Sequence, residues 1–403
     1  MHKEQLWTKN FIFLSLSNLF LFLGFEMLMP TLPMYIAKQG GSDTEIGLMM
    51  GIFTVTAVLI RPFSEPAAVK FGKKSMLALG AAGCLVATGF YGAAVTMIWI
   101  IVVRLLHGVG FGIATTLYGT VASDIIPASR RGEGMGFFGL GSTIALSVGP
   151  FLGVLLMEQI DFFGLFASAV FCLVVALTLT LFVSFKRWTA EQLPRGEPAA
   201  PVPASKPALA SHLFERTALY PSFLGMLSGF GYGGILSFIT LYGKEIGVAN
   251  IGIFFLVISI SEFLIRFVSG KVFDAKGHFW VLFPCLLLII IGNLLLSYST
   301  GLQMLLVAAM FYGAGFGAMF PALQAWIINE APAHRRGTAT ATFYNLFDIG
   351  IGGGAFLLGI LASLTNYAVM YRFSTLFYAA FLIIYTVGEL WVRRNKQSAA
   401  VEG

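Results

Sequence analysis

Apolar residues run along this chain in blocks of about twenty or more, each closed by a short cluster of Gly, Pro or charged residues. A helix needs about 20 apolar residues to cross a hydrocarbon layer roughly 30 Å thick, so the blocks predict membrane spans. Twelve are expected, at about 10–36, 45–67, 74–95, 97–121, 134–156, 161–184, 219–243, 249–271, 279–298, 301–327, 337–364 and 369–391. The first block, from Phe11 to about Tyr35, is longer than a signal-peptide core and lacks a convincing cleavage site, so it is read as a retained span.

Composition removes the soluble alternatives. Of 403 residues, 57% are hydrophobic and 11% charged, against about 25% charged in an ordinary soluble domain. With a mean hydropathy of +0.84, the chain cannot be a water-soluble enzyme of one or two domains. The net charge of +6 lies in short clusters between apolar runs, which points to membrane topology and away from nucleic acid. Cys84, Cys172 and Cys285 sit inside apolar runs with no pairing or metal-ligand spacing.

Twelve spans place both termini on one side. Of the 25 Lys and Arg residues, 19 fall on that side, only Lys38, Lys244 and Arg372 on the other, and Arg61, Arg104 and Arg266 within spans. Cytoplasmic loops are enriched in these residues, so both termini are expected in the cytoplasm of a plasma or inner membrane. Lys186 to Arg216 is the one long polar, Pro-rich stretch and reads as a flexible linker. The expected organisation is a six-helix bundle at 1–185, a cytoplasmic linker at 186–218, a second bundle at 219–392 and a cytoplasmic tail at 393–403.

The two halves match without gaps at an offset of 205 residues. Leu59-Ile60-Arg61 recurs as Leu264-Ile265-Arg266, Ser64 as Ser269 and Gly72 as Gly277. Gly108, Gly110, Phe111 and Gly112 recur as Gly313, Gly315, Phe316 and Gly317, and Pro127 with Arg130-Arg131-Gly132 recurs as Pro332 with Arg335-Arg336-Gly337. The expected fold is thus all-α and integral to the membrane, with twelve helices in two pseudo-symmetric six-helix bundles. Such tandem repeats build transporters whose substrate site lies near the midplane between rocking halves.

With these residues in view, the chain resembles the major facilitator superfamily, in particular its twelve-helix drug:proton antiporters. The loop after the second span, Glu65-Pro-Ala-Ala-Val69-Lys70-Phe71-Gly72-Lys73-Lys74, is similar to the family's G-x-x-x-D-R/K-x-G-R/K-R/K, with Glu65 and Val69 in place of Gly and Asp. The second copy keeps Gly270, Asp274 and Gly277. Arg104-Leu-Leu-His107-Gly108-Val-Gly110 resembles the R-x-x-Q-G-x-G proton-transfer motif, with His for Gln. Gly136, Ala145, Gly149-Pro150 and Gly153-Val154 follow the antiporter motif G-x8-G-x3-G-P-x-x-G-G, with Ala and Val at two Gly positions. The resemblance implies export by alternating access in exchange for protons. It also implies conformational gating by Arg61, Gly72, Lys73, Gly149, Pro150, Arg266, Gly270 and Asp274, with Arg130, Arg131, Arg335 and Arg336 as orientation and gating charges.

A charge at mid-span costs about 2.5–3.5 kcal/mol on insertion scales, so each embedded one calls for a reason. Glu26 lies roughly 24 Å from the inner end of its span at 1.5 Å per residue, at a depth that Arg104 can match. Glu26 is expected either to bind a proton and a cationic substrate in alternation, with Arg104 or the substrate favouring its charged form, or to form a permanent ion pair with Arg104. Asp348 is a second candidate proton site, or a polar packing contact ahead of Gly350, Gly352, Gly353 and Gly354. Glu262 and Arg266, spaced i, i+4, are expected to satisfy one another. His107 is a candidate proton shuttle or a hydrogen-bonded packing residue. Asn18, Tyr232, Tyr312, Phe316, Gln324 and Asn345 are candidate substrate contacts, and the 39 Phe and 15 Met residues suit amphiphilic ligands.

No HExxH, Cys/His metal set, Walker loop or nucleophile elbow is present, which argues against an embedded enzyme or an ATP-driven pump. The expected partners are a small-molecule substrate, protons and the bilayer, with no metal, cofactor or nucleic acid, the proton gradient as energy source, and a monomer as the working unit. The alternatives are an exporter dedicated to one metabolite, such as a metallophore, and a proton-coupled nutrient importer.

Overall fold

The computed structural model describes residues 5–94, 96–127, 130–184, 215–332 and 335–402, and no strand occurs among them. Eleven of their helices are long and apolar enough to cross a membrane. One of these, Glu133–Phe182, spans 50 residues. It is broken at Asp161, whose φ of 66° and ψ of −180° turn the chain back, so the fifth and sixth spans meet there and the crossings number twelve. The linker at 186–218 lies almost wholly outside the described residues.

Local sequence sets the remaining ends. Ser42 and Glu45 form a capping box that starts the second span, Asp43–Phe71. Thr96 caps the fourth, Met97–Ile125. The second span ends on Gly72 at φ 93° and the eighth, Gly252–Lys276, on Gly277 at φ 83°, a backbone region that side chains disfavour. The first span is helical over Lys9–Leu28 and Leu32–Lys38. Pro30 has no N–H to give to the Glu26 carbonyl, which accepts from the Met29 N–H at 3.3 Å instead. The last helix, Tyr367–Glu402, runs through the expected tail, because Ala, Arg, Lys, Gln and Glu there are sound helix formers.

The 205-residue register reappears as matching contacts. A side chain at Gly108 would meet the Phe53 carbonyl at 2.6 Å, and one at Gly313 would meet the Ile258 carbonyl at 2.7 Å, so the second and fourth spans approach as closely as the eighth and tenth (Leu302–Glu330). The Arg130 N–H reaches the Pro127 carbonyl at 2.9 Å, and the Arg335 N–H reaches that of Pro332 at 2.8 Å.

Two long seams join the halves. In one, the second span lies along the eleventh, Arg336–Leu364; in the other, the fifth lies along the eighth. The seams are equivalent under the repeat: Thr54 meets Gly352 in the first and Ser259 meets Ser147 in the second. On the face opposite the termini, called distal below, Thr44 bonds Ser363 at 2.9 Å and Tyr367 donates to Asp43 at 2.6 Å. Thr240 of the seventh span, Arg216–Glu245, donates to the Pro30 carbonyl at 2.9 Å. The distal ends of the halves are therefore held together.

Candidate functional site

Glu26 is 5% exposed and its Oε2 has no hydrogen-bond partner. The fifth span approaches it so closely that a Cβ on Gly149 would lie 2.5 Å from the Glu26 Cβ, and one on Gly153 would collide with the Met27 carbonyl oxygen. Gly149 and Gly153 of the antiporter-like motif thus seat the span carrying the acid. From the other half, Tyr232 and Asp348 come within electrostatic range of Glu26.

The expected Glu26–Arg104 pair does not form. Arg104 is fully buried, directs Nη2 to Met50 Sδ at 2.6 Å, and lies over the rings of Phe53 at 5.3 Å and Tyr91 at 5.9 Å. Phe25 explains the separation. It stacks on Phe53 at 5.0 Å, packs on Phe111 at 4.2 Å and meets the His107 edge at 5.8 Å. Consecutive helical side chains point about 100° apart, so Glu26 turns toward the fifth span while Arg104 stays behind the aromatic layer. His107 shares a hydrogen bond with the Tyr91 hydroxyl through Nδ1 at 3.1 Å, and its Nε2 has no partner.

Each seam carries an embedded ion pair of a different kind. Arg61 crosses from the second span to the eleventh, donating to Asp348 Oδ2 at 2.5 Å and to Asn345 Oδ1 at 2.6 Å. Asp348, expected as a proton site or packing contact, is thus ion-paired to the opposite half. Arg266, the repeat equivalent of Arg61, stays on its own helix, with Nη2 3.8 Å from Glu262 Oε2 as expected of the i, i+4 spacing. Glu262 crosses the seam instead and accepts from the Ser147 hydroxyl at 2.7 Å. Ser147 and Ser259 were not singled out by sequence, although the equivalence of Thr54 with Ser259 offered a signal.

The other candidates fall into distinct places. Asn18 is buried on the first span. Tyr232, Phe316 and Phe347 form an aromatic ladder, with Tyr232 stacked on Phe316 at 4.5 Å, and Tyr312 bonds the Tyr378 hydroxyl at 2.6 Å. Gln324 donates to the Tyr344 hydroxyl at 2.8 Å. Lys73 pairs with Asp124 at 2.5 Å, inside its own half. Gly270 has open space around it, and Asp274 lines a shallow cavity of about 390 Å³ with His278, Trp326 and Glu330, apart from both seams. Among the described residues no group of three or more His, Cys, Asp or Glu is placed to hold a metal ion.

Two repeated six-helix halves, meeting along two seams with embedded acids at mid-depth, define a secondary transporter fold. The profile of the Major Facilitator Superfamily matches residues 14–279 and 222–402, and the chain belongs to that family. It is a multi-pass membrane transporter and not an enzyme. It is similar to the staphylopine export protein of Staphylococcus aureus, 25% identical over 345 residues that cover 82% of this chain and 84% of that one. It is also similar to the multi-drug resistance efflux pump PmrA of Streptococcus pneumoniae, 23% identical over 397 residues and 94% of each chain. Among solved structures, the nucleoside transporter NupG superposes with a TM-score of 0.71 at 15% identity, covering 94% of this chain and 99% of that one. A bacterial homologue of the human lysosomal transporter Spinster gives 0.70 at 17% identity, covering 95% and 96%. These two likenesses are of fold alone.

Proposed function

We propose that the protein exports small amphiphilic or drug-like molecules across the cell membrane in exchange for protons, alternating access between the two faces. The observation that carries this reading is Glu26, an acid buried beside the meeting place of the first, fifth and seventh spans with an oxygen left unpartnered. A carboxylate there demands a counter-charge, which a proton and a cationic substrate group supply in turn. Asp348 and Glu262 already have basic partners, so Glu26 is the embedded acid best suited to alternate.

The fifth-span motif and the likeness to PmrA favour export over uptake. The likeness to the staphylopine exporter supports a second reading, export of one dedicated metabolite. The excess of Lys and Arg on the terminal side favours cytoplasmic termini in a plasma or inner membrane. The working unit of this reading is a monomer driven by the proton gradient, without a cofactor.

The test is a screen of energised proteoliposomes with cationic, neutral and zwitterionic compounds, reading substrate-dependent proton release. Release is expected in the wild type and lost in Glu26→Gln. Transport that ignores the proton gradient, or full proton-driven transport in Glu26→Gln, overturns the coupling.

A further inference from the structure

The other embedded arginines at the seams are met by carboxylates: Arg61 by Asp348 and Arg266 by Glu262. Arg104 has no ion pair among the described residues although it is the most deeply buried of the three, at 0% exposure. Nη2 donates to a thioether, a weak acceptor, and Nε and Nη1 have no partner. The rings of Phe53 and Tyr91 lie near its faces and the Tyr91 hydroxyl lies beside it, but neither brings negative charge. One turn further along the same helix, His107 Nε2 is also unpartnered.

These orphans surround one aromatic cluster. Phe25 and Phe53 stack at 5.0 Å; Arg104 and His107 pack against Phe53, at 5.3 Å each, while Glu26 follows Phe25 in the chain with its own orphan oxygen. A guanidinium and a carboxylate thus lie on opposite sides of this aromatic cluster, both desolvated, and do not answer each other. A purely cationic substrate would satisfy Glu26 and leave Arg104 uncompensated; a purely anionic one would do the reverse. A guanidinium fork matches an oxyanion in shape as well as charge.

Resting on the reading of Glu26 as part of the transport site, we propose that the transported molecule is amphoteric, with a carboxylate or similar oxyanion bound by Arg104 beside His107, a cationic group bound by Glu26, and an apolar body against Phe25 and Phe53. Arg104 is then a specificity-determining residue that sorts ligands by an acidic group.

A rhodamine free acid and its methyl ester test this, because both fluorophores keep the cationic ring system and only the free acid offers a carboxylate. Their binding to purified protein in nanodiscs is followed by fluorescence polarisation. The free acid is expected to bind at least about tenfold more tightly than the ester, as one charge-assisted hydrogen-bonded contact implies. Arg104→Gln should abolish that preference while leaving the ester's affinity within about twofold. Arg104→Lys retains the charge and should keep part of the preference, which separates loss of the contact from loss of folding. Glu26→Gln should weaken both fluorophores together. Equal affinities in the wild type, binding of neither, or a preference that survives Arg104→Gln overturns the proposal. Proton release is read separately: its absence with the carboxylate preference intact removes the antiport reading and leaves the substrate class standing.

Discussion

The Arg61–Asp348 pair is the clearest place to perturb the balance between conformations. It joins residues 287 positions apart, so it exists only while the second and eleventh spans lie together. Removing one partner of a fully buried pair costs about 3–5 kcal/mol. Here the side chains are 13% and 26% exposed, and Asn345 still accepts a second bond from Arg61, so the loss should be smaller. A charge-assisted hydrogen bond is worth about 1.5–3 kcal/mol. We therefore expect Asp348→Asn to weaken the present conformation, in which the second and eleventh spans are joined, by about 2 kcal/mol, a roughly 30-fold change in its population relative to those in which they part. Spin labels at Lys38 and Ala249, near the distal ends of the first and seventh spans, report this as a second, longer distance in double electron–electron resonance. Arg61→Met should act similarly, and the double variant should show strong non-additivity. Unchanged distances in both single variants, or a double-mutant coupling below about 0.5 kcal/mol, would show that the contact does not bias the equilibrium.

Other expected outcomes follow from packing and backbone geometry. Gly153→Ala drives a methyl into the Met27 carbonyl and should cost about 2 kcal/mol or more of stability, whereas Gly139→Ala enters open space and should leave the melting temperature of the detergent-solubilised protein unchanged. Asp161→Gly relieves a residue at φ 66° and should stabilise by about 0.5–1 kcal/mol; Asp161→Val should do the opposite, both read by thermal unfolding. The exposed Lys38–Asp161 contact, at 3.7 Å with side chains 61% and 69% exposed, should be inert, so Lys38→Gln should change neither transport rate nor thermal midpoint beyond error.

Span positions and the repeat were legible in the sequence because lipid imposes them residue by residue. Gly108 and Gly313 share a register for the same reason that their helices touch. Partner choice was less legible. The spacing of Glu262 and Arg266 on one helix announced their contact, since i, i+4 is a local relation. That Arg61 meets Asp348, and that Arg104 does not meet Glu26, depends on the rotation of whole helices. For Arg104 it depends on Phe25 occupying the space between. The helical continuation through residues 393–402 was hidden by its polarity, which reads as a tail although its residues favour helix.

The two seams also bear on descent. A half-length ancestor pairing with its own copy would have carried one residue set at both contacts. Arg61 and Arg266 share the common position and are the same residue, so the difference lies in their neighbours: Glu262 stands where the first half has Ala57, and Asp348 where it has Thr143. The division into one seam closed by opposite charges and one closed by a hydroxyl and an acid must therefore postdate fusion, and reverting either contact to the other's residues would restore an older symmetry at the expense of present asymmetry.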